Sequence, residues 1–154
     1  WLGVPTFRRP KVFNFSENKY PGIPNINLHT ITDKPFTVGD IPVIPILVFH
    51  LKMPVLAFRF GDFTYITDAN RIDENEKEKI KGSKILVVNA LRKKEHISHF
   101  NLQEAIGLVE ELKIPKAYFT HISHQLGLND EINKELPGNI QLAWDGLKID
   151  LMGK

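Results

Sequence analysis

The chain has no cysteine among its 154 residues. That excludes disulfides and thiolate metal sites, so any metal must be held by His, Asp or Glu. It also fits a reducing, cytoplasmic setting. Long apolar runs are missing too: none approaches the ~20 residues of a membrane span, and the N-terminus shows no signal-peptide pattern. No membrane partner is expected. Charge of one sign is scarce. A net charge of +2, with no Lys/Arg tract, leaves nucleic-acid binding possible but not favoured.

What is present describes a folded domain. The chain is 42% hydrophobic and 25% charged, and its length suffices to bury a core. Residues 1–34 are rich in Pro, Asn and Lys, with short strands expected over 11–15 and 26–31 and a turn at Tyr20-Pro21-Gly22-Ile23-Pro24. Residues 41–50 read as a β-branched strand in which Pro42 and Pro45 require an edge or bulged position. Strands over 55–60 and 63–67 flank the two-residue hairpin turn Gly61-Asp62.

The period then changes. Residues 73–81 read as a short charged helix with a solvated Glu/Lys face, and 84–89 (KILVVN) as a strand buried on both sides. Asn101 with Glu104 is a helix cap with a reciprocal partner. Leu102, Ala105, Ile106, Val109 and Leu112 follow at helical spacing until Pro115. A strand over 116–120, a helix over 129–136, and a closing hairpin of 140–144 and 147–151 complete an α/β layered domain, taken as one unit over 1–154.

Three residues able to bind metal end strands: His50, Asp68 and His121. Side chains at strand ends converge without filling the core, and two His with one Asp suit zinc or manganese. Each alone reads more readily as a hydrogen-bonded structural residue, and spacing does not lift the three above that reading. The string His-Ile-Ser-His also occurs twice, at 96–99 and 121–124. It is not an internal repeat, because one copy leads into a helix and the other leaves a strand.

Ile44-Pro45-Ile46-Leu47-Val48-Phe49-His50, Tyr65-Ile66-Thr67-Asp68 and Phe119-Thr120-His121-Ile122-Ser123-His124 resemble the third, fourth and fifth metal motifs of the metallo-β-lactamase superfamily. The likeness runs from about Val43 to the C-terminus, including Trp144-Asp145-Gly146-Leu147, and is nearest to the phosphoribosyl cyclic phosphate phosphodiesterase and ribonuclease-Z-like branch. It implies the C-terminal part of an αββα sandwich and a hydrolase acting on a small phosphodiester. Two divalent metals, zinc or manganese, are implied, with His50 completing the first metal's ligands, Asp68 bridging, and His121 closing the second. His99 matches the general acid; it precedes the cap Asn101, so an open helix N-terminus nearby would suit a phosphate. His96 and His124 match supporting or loop positions.

The superfamily's His-x-His-x-Asp-His motif is absent, and the chain begins at Trp1. Both suggest the C-terminal portion of a longer protein. In the complete protein the resemblance implies a hydroxide, held between metals about 3.5–4 Å apart, attacking phosphorus while His99 protonates the leaving alkoxide. The chain alone is expected to bind one metal weakly at most, to hydrolyse nothing, and to self-associate through an uncovered apolar sheet face. Alternatives are ribonuclease-Z-like RNA processing, for which no RNA-gripping arm is evident, and a truncated non-catalytic interaction module. An acyl hydrolase is disfavoured by the setting of His99.

Overall fold

The computed structural model describes residues 29–151. The chain divides at Thr32/Asp33, and the fold described here is that of the second unit. The strand expected over 11–15 and most of that over 26–31 lie outside the described residues; residues 29–31 are not strand.

Strand β1 (Phe36–Val38) turns at Gly39 into the long β2 (Ile41–His50). A two-residue connection leads to β3 (Met53–Phe60), and Gly61-Asp62 makes the expected turn into β4 (Phe63–Tyr65). Gly61 has φ 56°, a conformation that favours glycine. A two-residue strand not anticipated from the sequence, β5 (Arg71–Ile72), pairs with the far end of β2. Then come α1 (Glu74–Ile80), β6 (Ile85–Asn89), α2 (Leu102–Glu111), β7 (Lys116–Thr120), α3 (Asn129–Glu135) and β8 (Ile140–Leu142).

All strands join one mixed sheet in the order β1-β2-β3-β4-β6-β7-β8, antiparallel as far as β4 and parallel from there on. Two antiparallel steps separate β2 from β4, so β2, β4, β6 and β7 all point the same way. Their C-terminal ends share one end of the sheet, which is what brings distant residues to a common site.

The core lies under the helices. Ile46, Val48, Ala57, Leu86, Val88, Ala117 and Phe119 from the sheet pack with Ala105, Leu108 and Val109 of α2. Alternation along β3 puts Phe58 and Phe60 on the opposite face, where Phe36, Phe58, Phe60 and Phe63 form a row with centroid separations of 6.3–6.4 Å. These rings are half-buried, and Tyr65 beside them is 41% exposed.

Local chemistry explains two departures from expectation. In β2, residues between the β1 and β5 pairings have no strand on one side. Pro45, which lacks an N–H, sits in that gap, and its carbonyl accepts from Lys79 Nζ at 3.3 Å. Leu47 N–H donates to Glu76 Oε2 at 2.8 Å, so Glu76 is buried and caps the open edge instead of lying on a solvated helix face. The closing hairpin does not form. Strand β8 ends at Leu142, two residues before the turn closed by Leu147 N–H to Trp144 O (3.1 Å), so residues 147–151 meet no ladder to join.

A candidate metal centre at the strand ends

His50 is the last residue of β2. Leu51 after it has φ 58°, and its N–H donates to Asn70 Oδ1 at 2.8 Å, which fastens this turn to the loop following β4. That loop carries Asp68 at φ 53°, a left-handed conformation that Asp tolerates better than most residues. Behind it, Ala69 is held on both polar groups. Its N–H donates to Asn89 Oδ1 (3.0 Å), and its carbonyl accepts from Asn89 Nδ2 (2.9 Å) and from Phe100 N–H (2.8 Å). His121 follows β7 directly, also left-handed at φ 56°. Among the described residues, three of the four non-glycine positive-φ positions (Leu51, Asp68, His121) lie at this end of the sheet. Strain concentrated there marks a place where geometry is held by its surroundings.

The side chains converge on one carboxylate oxygen. His99 Nε2 lies 3.2 Å and His121 Nε2 3.3 Å from Asp68 Oδ1. The His99 ring stacks on His121 (centroids 4.7 Å, 13°) and stands edge-on to His50 (4.7 Å, 79°). Donor atoms of His50, Asp68 and His99 all lie within 4.8 Å of one another. His50, Asp68, His99 and His121 are therefore all brought together. His96 joins from behind, its Nδ1 3.1 Å from His99 Nδ1. Ser98 Oγ is 3.0 Å from His99 Nδ1, and Ser98 N–H donates to His96 Nδ1 at 3.4 Å. His124 is exposed, and no described contact joins it to the cluster.

His99 is the buried member, with 11% of its side chain exposed against 44% for Asp68 and 40% for His121. Burial lowers its pKa below the ordinary histidine value; Asp68 pulls the other way, and His121, His50 and His96 add to the lowering. The imidazole is accordingly inclined to the neutral form. In that form Nε2–H donates to Asp68, and Nδ1 accepts from the Ser98 hydroxyl.

The donor set fits a divalent cation. Several imidazoles crowd one carboxylate that is open to solvent on one side, an arrangement that ion pairing alone does not favour once burial resists protonation of His99. Neutral imidazole nitrogen and carboxylate oxygen are ligands that zinc and manganese accept.

The helix α2 corrects one expectation. Its N-terminus is not the open one expected, because three of its N–H groups are already bonded within the chain. Glu104 N–H donates to Asn101 Oδ1 (2.9 Å), Asn101 N–H to Glu104 Oε2 (2.8 Å), and Leu102 N–H to Arg92 O (2.9 Å). The capping pair that announces the helix in the sequence also occupies two of the amides a phosphate would use.

Residues 4–122 match a family described as the beta-lactamase superfamily domain. The chain belongs to that family. The match begins well before Val43, where the sequence likeness starts, and ends at Ile122, short of Trp144-Asp145-Gly146-Leu147. The solved structure of a diphosphatase from the PhnP family is 36% identical with a TM-score of 0.79, over 82% of this chain and 49% of that one. Human tRNase Z, short form, is 17% identical with a TM-score of 0.55, over 76% of this chain and 46% of that one, a likeness of fold. An octanoyltransferase from Porphyromonas gingivalis (strain ATCC BAA-308 / W83) is 35% identical over 136 residues, 87% of this chain and 28% of that protein. This superfamily chain thus spans about half the length of the solved relatives and just over a quarter of the curated one. No described helix is long and apolar enough to cross a membrane.

Sequence reasoning missed Asn70, Asn89, Arg92 and Ser98, which hold the loops. Only Asn89 carried a signal: it is a polar residue closing an otherwise apolar buried strand.

Proposed function

We propose that this chain supplies part of a two-metal site for hydrolysis of a small phosphodiester. The observation that carries this reading is the convergence of His99 and His121 on a single oxygen of Asp68, with His50 alongside. The 36% identity to a PhnP-family diphosphatase supports it. His50, Asp68 and His121 would hold zinc or manganese together with ligands from a segment bearing His-x-His-x-Asp-His. Metal bound there would supply Lewis acidity toward a phosphodiester and toward water.

The chain's own residues do the rest. Asp68 places its charge between the two histidines, which fixes their nitrogens toward a common centre. His99, buried beside it, is positioned to give a proton from Nε2 to the departing alkoxide. Burial weakens its hold on that proton, which makes the protonated ring the stronger acid. Ser98 Oγ holds the far nitrogen and so sets the ring's orientation, with the His96 ring packed beside it.

The octanoyltransferase resemblance leads elsewhere without opposing this. The matching segment covers 28% of that protein, so the activity in its name need not involve the matched region.

The test joins this chain to a segment carrying His-x-His-x-Asp-His and assays bis-p-nitrophenyl phosphate with Mn²⁺ or Zn²⁺. The joined protein should hydrolyse it, and the chain alone should not. His99→Ala should lose about 10²–10⁴-fold on a diester with a poor alkoxide leaving group. Full activity of that variant would remove the acid role, and two tight zinc sites on the chain alone would overturn the division of ligands.

A further inference from the structure

Residues 90–92 run between the two loops that carry His-Ile-Ser-His. Toward the later copy, Ala90 N–H donates to Thr120 O (3.0 Å) and Ser123 N–H to Leu91 O (2.9 Å). Toward the earlier copy, Leu91 N–H donates to Phe100 O (3.0 Å) and Leu102 N–H to Arg92 O (2.9 Å). The tripeptide is a spacer bonded to both loops. Its last side chain then spans the same gap. Arg92 Nη1 donates to Gln125 Oε1 at 2.8 Å, one residue past His124, and Nη2 donates to Glu95 O at 2.9 Å, one residue before His96.

We infer that Arg92 is a positioning residue that fixes the separation of the two histidine loops, and through it the placement of His99 against His121 and Asp68. The chemistry favours arginine specifically. A planar guanidinium offers donors in a fixed fork and can hold two acceptors at a set distance; an ammonium is a single point with no fixed spacing. The position also bears a cost, because Arg92 Nε is buried with no hydrogen-bond partner. A residue kept for surface solubility would not leave a donor stranded. Neighbouring Lys93 forms an exposed ion pair with Glu135 at 2.6 Å and links the loop to α3, not to the later histidine string. It serves as a control.

This inference rests on reading His99 and His121 as parts of one site, but its primary test needs no metal and no hydrolysis. In the ¹⁵N-histidine-labelled chain, rings stacked at 4.7 Å shift one another's proton resonances. Arg92→Ala and Arg92→Lys should both move the His99 and His121 ring signals toward free-histidine positions. Lys93→Ala should leave them in place. In the joined protein described above, both Arg92 variants should lower kcat about 10–100-fold with little change in KM, as loss of an outer-shell support does. If Arg92 instead acted by attracting an anionic substrate, Arg92→Lys would keep activity and Arg92→Ala would raise KM. Should Arg92→Ala fail to fold, Gln125→Ala cuts one arm of the fork and should move the same signals. Unchanged His99 and His121 signals in a folded Arg92→Ala, or in Gln125→Ala, would overturn the inference. Altered signals in a protein that never hydrolyses a phosphodiester would leave it standing while removing the proposed reaction.

Discussion

Asp68→Asn should lower phosphodiester hydrolysis by the joined protein about a thousandfold or more, and it should abolish any single-site Zn²⁺ or Co²⁺ binding by the chain alone. The magnitude follows from what the carboxylate would support. Lewis acidity at such a site is worth several kcal/mol of transition-state stabilisation, and each 1.4 kcal/mol is about tenfold in rate. Asp68 is also the one group that both His99 and His121 reach, each at its Oδ1. Replacing it by asparagine therefore removes the charge that faces both rings while keeping an oxygen that can accept from them. Asparagine is the informative substitution because it tolerates φ 53° where alanine would add backbone strain. The side chain is 44% exposed, so the folded state should survive with little change in its urea midpoint. Activity within tenfold of the parent would exclude Asp68 from the metal set.

The strands that lead to His50, Asp68 and His121 were legible as apolar runs, and β2, β4 and β7 are found there, although β4 stops at Tyr65 instead of running to Thr67. That the three side chains form a ligand set is implied by the family resemblance, because strand position alone reads more readily for structural residues. Asn101 and Glu104 likewise announced α2, and the capping box is present. The common direction of the four site-bearing strands could not be read so directly. It depends on β4 pairing antiparallel to β3 and parallel to β6, and a three-residue strand carries no mark of either partner. The left-handed turns at Asp68 and His121 were hidden for a similar reason: neither residue type requires that conformation. Buried Glu76 was misread because a helix of seven mostly charged residues looks solvated all round. Only the gap beside Pro45 and Leu47 gives one of its carboxylates an interior task. The closing hairpin failed on ladder length. Asp145-Gly146 makes its turn, but a strand that stops at Leu142 gives the returning residues no partner.

The same dependence on distant bonds makes Asn89 a vulnerable polar residue. Asn89 and Ala69 are both fully buried, at 0% exposure. Replacing Asn89 by leucine conserves volume roughly but strands the Ala69 N–H, whose acceptor is Asn89 Oδ1. The Ala69 carbonyl keeps Phe100 N–H as a donor, so the penalty falls chiefly on the N–H. A buried group left unpaired costs about 1–3 kcal/mol, and the weakened carbonyl adds to it, so a loss of about 2–4 kcal/mol in urea unfolding is expected. Asn89→Asp gives a sharper diagnosis. The carboxylate can still accept from Ala69 N–H, but it sets a buried charge against the Ala69 carbonyl, so its folded pKa is raised above the unfolded ~3.9. The folded state then holds the proton more tightly than the unfolded state, and stability increases as pH falls through the raised pKa toward ~3.9. Protonation restores an O–H donor to the Ala69 carbonyl. Asn89→Asp should therefore be well below the parent at neutral pH and recover part of the difference in mild acid, whereas Asn89→Leu should show no such recovery. Because Ala69 follows Asp68 directly, both variants should weaken metal binding beyond what unfolding accounts for, seen as a higher Co²⁺ half-saturation at temperatures where the chain is still folded. If Asn89→Leu unfolds at the parental urea concentration, the two bonds to Ala69 do not hold the Asp68 turn.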